Sequence, residues 1–301
     1  MTTSEKNELL IASSQSQSEL KGEPAWRKIL AAMQRALGRS TLVVSAAVKI
    51  RNQCASIIRY QLGEDWHLDQ NGESWLVQFF GPSCSTFIDV GANVGEWAQL
   101  LLYYAPTAKH GLLIDASCSA VTKLKGRFQN EPAISIIHAA VSDTVGEEYF
   151  YEEDDAGMTS SLVAGFSMPG AKRNLVCVTT LDAEASKHGL SHIDILKIDT
   201  EGYDLHVLRG AENLLRNQSI GIIQFEYNAP WADAGSTLTG ARRLLNRHGY
   251  EVFLLKSTGI YRIDFAYFGE FYQYANFIAV SKKNMLQIEA AVKKHPLGKR
   301  A

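Results

Sequence analysis

The sequence predicts an α/β domain built on a doubly wound, mainly parallel sheet, and three observations carry that prediction. Short runs rich in Ile, Leu, Val and Phe alternate with amphipathic stretches of helical period. A glycine-bearing turn, Gly91-Ala92-Asn93-Val94-Gly95, joins the first of these runs to the helix behind it. Acidic residues stand at the ends of successive runs, at Asp89, Asp115, Asp199 and Glu226, where ligands of such sheets bind.

Residues 1–22 are polar with little to bury and read as a disordered tail. A helix begins after Pro24, with Trp26, Ile29, Leu30, Met33 and Leu37 on one face. Gly38 ends it, and Ser40 can cap a second helix reaching Ile58. Arg27, Lys28, Arg35, Arg39, Lys49, Arg51 and Arg59 make this region basic. Residues 23–70 are therefore expected to form a helical cap with a solvated basic face; peripheral contact with an anionic membrane is the sharper alternative. Asn71-Gly72 marks a turn, and 74–80 is a short amphipathic segment.

The first strand is Phe87-Ile88-Asp89-Val90, followed by a helix carrying Val94, Trp97, Leu100 and Leu101. Residues 112–115 give the second strand and 119–128 a helix. The third strand, 134–138, runs into Ala139-Ala140-Val141, whose small side chains leave room for a flat ring such as adenine. Residues 149–151 and 176–179 read as short strands flanking a long loop, 154–170, in which 158–162 is placed to close over a site. The fourth strand is 193–198; the helix behind it buries Leu205, Leu208, Ala211, Leu214 and Leu215. The fifth is 220–227, a helix covers 238–247, and the sixth strand is 250–255. Residues 261–265 and 276–280 are expected to add a hairpin at the sheet edge, closing a domain over 71–283, and 284–301 to form a basic helix and tail.

The chemistry follows from the glycine turn. Its spacing is Gly-x-x-x-Gly rather than the Gly-x-Gly-x-x-Gly of dinucleotide binders. Asp89 would repel a pyrophosphate and attract an ammonium, so Asp89, Gly91, Ala92, Asn93 and Gly95 suit S-adenosylmethionine better than NAD. Asp115, followed by Ala116, lies about 20 residues beyond Gly95, the distance of a ribose-binding carboxylate. Ala140 and Val141 are assigned to the adenine. Asp199 and Glu201 follow the fourth strand, near where the cofactor's methyl should point, and are the candidates for catalytic carboxylates, Asp199 also lying against the cofactor. Lys197 and His138 are set aside because they lie within strands. Ser160, Tyr203 and Trp231 are assigned to the acceptor. No metal is assigned, although Asp199, Glu226 and Asn228 are an oxygen-only set that would suit Mg²⁺.

Composition narrows the field. The chain is 46% hydrophobic and 21% charged, as globular proteins are. A net charge of −2 gives no basic field for nucleic acid, and Asn228-Ala229-Pro230-Trp231 follows the fifth strand, not the fourth where base methyltransferases carry Asn/Asp-Pro-Pro-Tyr. Cys54, Cys84, Cys118 and Cys177 are scattered, which argues against zinc or a disulfide framework. No apolar run approaches the ~18 residues of a membrane span, and no signal-peptide order is seen, so a cytoplasmic protein is expected. A nucleotide-dependent oxidoreductase and a cofactor-binding scaffold without turnover are the competing classes.

Four stretches resemble the FkbM family of S-adenosylmethionine-dependent methyltransferases: residues 87–95, Ala139-Ala140-Val141-Ser142-Asp143, Thr180-Leu181-Asp182, and Leu196-Lys197-Ile198-Asp199-Thr200-Glu201-Gly202-Tyr203-Asp204-Leu205 with Val207-Leu208-Arg209-Gly210-Ala211 behind it. The resemblance spans roughly 71–280. It implies the seven-stranded, Rossmann-like sheet of class I methyltransferases and O-methylation of a hydroxyl on a sugar, glycolipid or small secondary metabolite. Leu113-Ile114-Asp115-Ala116-Ser117 departs from the family's usual Phe-Glu-Pro.

Overall fold

The computed structural model describes residues 24–63, 67–152, 160–163 and 170–297. The expected tail and most of the expected closing loop lie outside them. The chain divides into two compact units between Ser56 and Ile57.

In the first unit a helix spans Ala25–Leu37, and none of its residues is buried. Gly38 donates its N–H to the Gln34 carbonyl at 2.9 Å as the helix ends. A second helix, Thr41–Leu62, starts with the Val43 N–H on Ser40 Oγ at 3.4 Å and runs on across the division.

The second unit is a nine-stranded sheet with a small three-stranded one. Its strands are β1 (Thr86–Val90), β2 (His110–Asp115), β3 (Ile134–His138), β4 (Ala140–Val141), β5 (Gly146–Glu152), β6 (Lys172–Thr179), β7 (Ile193–Ile198), β8 (Ile220–Tyr227), β9 (Tyr250–Lys256), β10 (Gly259–Arg262), β11 (Ala275–Ser281) and β12 (Val292–Lys294). The large sheet runs β12-β10-β9-β11-β8-β7-β1-β2-β3. From β3 to β8 every pairing is parallel, as the βα alternation requires. Strand order reverses between β1 and β7, which opens a crevice at their carboxyl ends. Seven neighbours, β3 to β9, are the doubly wound sheet expected from the sequence, and β10 and β12 extend it.

Three details differ from the sequence reading. The residues expected as an edge hairpin do not pair with each other: β11 inserts between β8 and β9, antiparallel to both, and β10 pairs with β9. The tail is a single helical turn, Met285–Ile288, and then β12, whose backbone finds partners on β10. The segments at 146–152 and 172–179 leave the main sheet and join β4 in the small one.

Strands buried on both faces carry near-continuous apolar runs, and alternate residues feed two cores. Ile88, Val90, Leu112, Ile114, Leu196 and Phe225 belong to one. Phe87, Leu113, Ile195 and Ile222 belong to the other, covered by the helix Glu73–Phe80 through Leu76, Val77 and Phe80. Several resemblance residues serve this packing. Asp182 accepts the Asn213 and Leu214 N–H groups at 2.8 and 3.0 Å, capping a helix 30 residues away in sequence. Gly210 lies so close to β4 that a Cβ would stand 2.1 Å from the Ser142 carbonyl oxygen.

Candidate active site

A cavity of about 440 Å³ opens at the switch point between β1 and β7. That is within the size range of small-molecule sites, roughly 300–1,000 Å³. Its walls are the loops that follow four neighbouring parallel strands: Gly91 and Asn93 after β1, Asp115, Ala116 and Ser117 after β2, Ala139, Ala140 and Val141 after β3, and Asp199, Thr200, Glu201 and Tyr203 after β7. Glu226 from β8 and Asn228 just after it, Ser160 and Leu162, Phe150, Tyr272 and Tyr274 also line it, as do Arg59, Asn71 and Glu73.

The cavity thus brings together Gly91, Asn93, Asp115, Ala116, Ala140, Val141, Asp199, Glu201, Ser160 and Tyr203. Ala92, Gly95, Asp89 and Trp231 stand away from it. Ala92 packs in the core beneath the loop, and Gly95 starts the next helix against Phe128 and Leu124. Gly91, at φ +77, is glycine for the sake of the chain itself: a Cβ there would stand 1.7 Å from the Asp199 carbonyl oxygen. Trp231 is fully buried among Phe225 and Tyr227, so its apolar area serves the core and not an acceptor.

Asp89 meets an ammonium, but one that belongs to the chain. It pairs in register with Lys197, which pairs with Gln224, so a polar row crosses three adjacent strands. Lys197 Nζ donates to Asp199 Oδ2 at 2.8 Å and lies 3.7 Å from Glu73 Oε1 and 3.9 Å from Asp89 Oδ1. Gln224 donates to Glu73 Oε1 at 2.6 Å, and Asn71 to Glu73 Oε2 at 3.0 Å. Burial lowers the affinity of Lys197 for its proton, yet Asp199, Glu73 and Asp89 together hold it well above the ordinary lysine range. Burial pushes Asp89 up to about 7, with Lys197 opposing. A lysine within a buried strand needs such partners; this was the available signal for Lys197, and its place mid-strand was what set it aside.

Asp115 accepts the Asn93 N–H on Oδ2 at 2.7 Å and the Ser117 N–H on Oδ1 at 2.8 Å. Burial raises it to about 6 despite those bonds. The carboxylate is thereby fixed at the cavity wall with lone pairs still unused, the arrangement two vicinal hydroxyls require. Asn93 Oδ1, also at the wall, is buried without a hydrogen-bond partner. Small residues Ala116, Ala139, Ala140 and Val141 border this end. A ribose with a flat base fits these residues.

The other end is acidic. Single oxygens of Asp199, Glu201 and Glu226 lie within 4.8 Å of one another. Asn228 Nδ2 bridges two of them, donating to Glu201 Oε2 at 2.8 Å and Glu226 Oε1 at 2.5 Å. Burial, then the neighbouring Asp199 charge, holds Glu201 and Glu226 well above the usual carboxylate range. Behind them Asp204, raised to about 7 by burial, accepts the Thr200 hydroxyl at 3.0 Å and the Glu226 N–H at 3.1 Å. Glu201 holds a left-handed backbone, φ +51, uncommon for a side-chain residue, and its carbonyl accepts the Ser161 hydroxyl at 2.7 Å.

No curated protein matches the chain. Among solved structures, a methyltransferase FkbM from Methylobacillus flagellatus KT is 15% identical over 65% of this chain and 43% of its own length, with a TM-score of 0.42. Spermidine synthase from Thermotoga maritima is 14% identical over 68% and 57%, with a TM-score of 0.38. Aeropyrum pernix fibrillarin, with natively bound S-adenosyl-L-methionine, is 12% identical over 70% and 76%, with a TM-score of 0.39. This chain therefore spans less than half of the first of these proteins. Residues 89–252, more than half of the chain and reaching from the end of β1 into β9, match the methyltransferase FkbM domain, and the chain belongs to that family of methyltransferases, whose methyl donor is S-adenosyl-L-methionine.

Proposed function

We propose that the chain transfers a methyl group to a hydroxyl of a sugar, glycolipid or small secondary metabolite. The observation that carries this reading is the acidic end of the cavity, where Asp199, Glu201 and Glu226 converge beside the Asp115 end. An alcohol must shed a proton as its oxygen is methylated, and carboxylates within reach can take it. S-adenosylmethionine supplies an electrophilic methyl on a sulfonium. In the reading proposed, Asp115 accepts the ribose hydroxyls, and Ala140 and Val141 border the adenine. Asp199 belongs to the acidic end, one oxygen held by Lys197. The acceptor oxygen would take the methyl with S-adenosylhomocysteine as the leaving group, and Asp199 would accept the hydroxyl proton. Ser160 and Tyr203 face the acceptor. The acidic lining of the cavity and the missing Gly-x-Gly-x-x-Gly speak against a pyrophosphate cofactor and hydride transfer.

The test is transfer of labelled methyl from S-adenosylmethionine to glycan, glycolipid and metabolite extracts, with the product's alkali-stable methyl ether identified. Label that appears only on amines, or on carboxylates as alkali-labile esters, overturns methylation of a hydroxyl. Tight cofactor binding without transfer to any acceptor leaves the scaffold reading in its place.

A further inference from the structure

The geometry points to a binding site for a hard divalent cation of the Mg²⁺ or Mn²⁺ kind, formed by Asp199, Glu201, Glu226 and Asn228. Oxygen atoms of the three carboxylates are close enough to share one ion. A second observation stands apart from the cluster's acidity. Asn228 is 7% exposed, its side chain reaches in between Glu201 and Glu226, and its Oδ1 has no hydrogen-bond partner. A buried amide oxygen left unpaired costs free energy, about 1–3 kcal/mol. Rotating the amide about its last torsion exchanges NH₂ for oxygen, and with an ion among the carboxylates that oxygen becomes a ligand. The donor set is then all oxygen, three carboxylates and one amide, the chemistry that selects Mg²⁺ or Mn²⁺ over softer metals. Lys197 already neutralises the side of Asp199 that faces the strands, so the ion addresses the opposite side, toward the cavity. At that place it would bind an acceptor's hydroxyl oxygen and lower its pKa. That use rests on the O-methylation reading; the binding itself does not.

The experiment is Mn²⁺ binding to the full chain, followed by loss of the free-ion electron paramagnetic resonance signal, with and without S-adenosylhomocysteine. One ion per chain is expected, with a Kd on the order of 10⁻⁵–10⁻³ M. Glu226→Gln and Glu201→Gln should each weaken it by about tenfold or more, roughly 1.4 kcal/mol, while Asp115→Asn leaves it unchanged. Because a glutamine variant can fail to fold, Asn228→Asp provides a second arm. A fourth carboxylate should lower the melting temperature of the ion-free chain, and Mn²⁺ should restore it. No binding up to about 1 mM, or binding indifferent to the substitutions, overturns the site. Methyl transfer that survives chelation while no ion binds would sink this proposal and leave O-methylation standing; ion binding without transfer to any hydroxyl would do the reverse.

A different observation carries a second proposal. Residues 24–56 contain Arg27, Lys28, Arg35, Arg39, Lys49 and Arg51 and no acid. Trp26, Ile29, Leu30, Met33 and Leu37 form one stripe of the first helix and are 44–61% exposed. We infer that this unit docks on an anionic lipid surface, apolar stripe in the headgroup boundary and cations on the phosphates. A second copy of the chain would set like charges against each other, so charge complementarity favours the lipid. Co-sedimentation of the full chain with vesicles of phosphatidylcholine containing about 30% phosphatidylglycerol should be strong, lost with phosphatidylcholine alone, weakened by salt, and abolished by Leu30→Glu with Met33→Glu. Equal binding to neutral vesicles, no binding to either, or a solution dimer that the same double variant dissociates would each overturn it.

Discussion

In the proposed reaction the chemical step turns on Asp199, and Asp199→Asn separates its roles. The amide keeps the size and can still hydrogen-bond, but it accepts no proton. Turnover in single-turnover methyl transfer should fall by ~10²–10⁴ while calorimetric affinity for S-adenosylmethionine stays near the parent's. Parental rates across the pH range would remove the base assignment and leave positioning as the explanation. Asp115→Ala should act on the other quantity. It removes acceptors for hydroxyl bonds worth ~1.5–3 kcal/mol each, so cofactor affinity falls; equal calorimetric affinity in variant and parent would take Asp115 out of the cofactor site. Both aspartates were legible because an acid at the end of an apolar run has few reasons to be there. Glu73, Asn71 and Tyr274 were not, since their proximity to the site comes from a helix N-terminus and a loop that only tertiary structure brings together. The assignment of Trp231 failed for a related reason: a tryptophan beside a motif has the same letter whether its ring faces a ligand or a core.

At the scale of elements, the β1 turn and the β7 turn are built against each other. Gly91→Ala would place a methyl inside the van der Waals radius of the Asp199 carbonyl oxygen and hold alanine at φ +77. The backbone term alone costs on the order of 1–3 kcal/mol, and the displaced Asp199 should weaken cofactor binding as well. A variant with parental melting temperature and affinity would show that the loops separate freely. Asp182→Ala tests the opposite kind of motif residue. It removes a helix cap, so the chain should lose ~0.5–2 kcal/mol in denaturant titration with cofactor affinity unchanged. Parallel strands and their helices were readable because each is one uninterrupted apolar run or stripe. The expected edge hairpin was not realised because pairing partners of antiparallel strands need not be adjacent in sequence: β11 takes its hydrogen bonds from β8 and β9, whose own edges would otherwise face each other unpaired.

For the molecule as a whole, the concentration of buried acid sets how stability responds to pH. Asp89 and Asp204 are raised to about 7 and Asp115 to about 6, and Glu201 and Glu226 are raised also, burial being the leading cause in each. Unfolded aspartate titrates near 3.9. Between there and about 7 the folded chain therefore holds protons that the unfolded chain has released. The stability these groups confer is fully present below their unfolded pKa values and is lost as pH rises through the folded ones. His295, held low by burial, opposes this trend, as do Glu152 and Glu270, held low by hydrogen bonds, at the acid end of the range. The melting temperature of the ligand-free chain should fall between about pH 5 and pH 8, and Asp89→Asn should make that slope shallower. A melting temperature that rises over the range would contradict the burial of these charges. Acids at strand ends were visible in the sequence; their crowding around a single lysine was not, because it depends on strand order.

The insertion of β11 also orders events during synthesis. Tyr227 pairs with Ala275, and Ser281 with Tyr250. Until the ribosome has released the segment that becomes β11, β8 and β9 have no partner between them, and Glu226 sits on a strand with one open edge. Such an edge is a template for pairing with other chains. The nascent protein thus carries Glu226 on an open, adhesive strand until β11 has emerged, a stretch in which a chaperone that shields sheet edges has most to contribute.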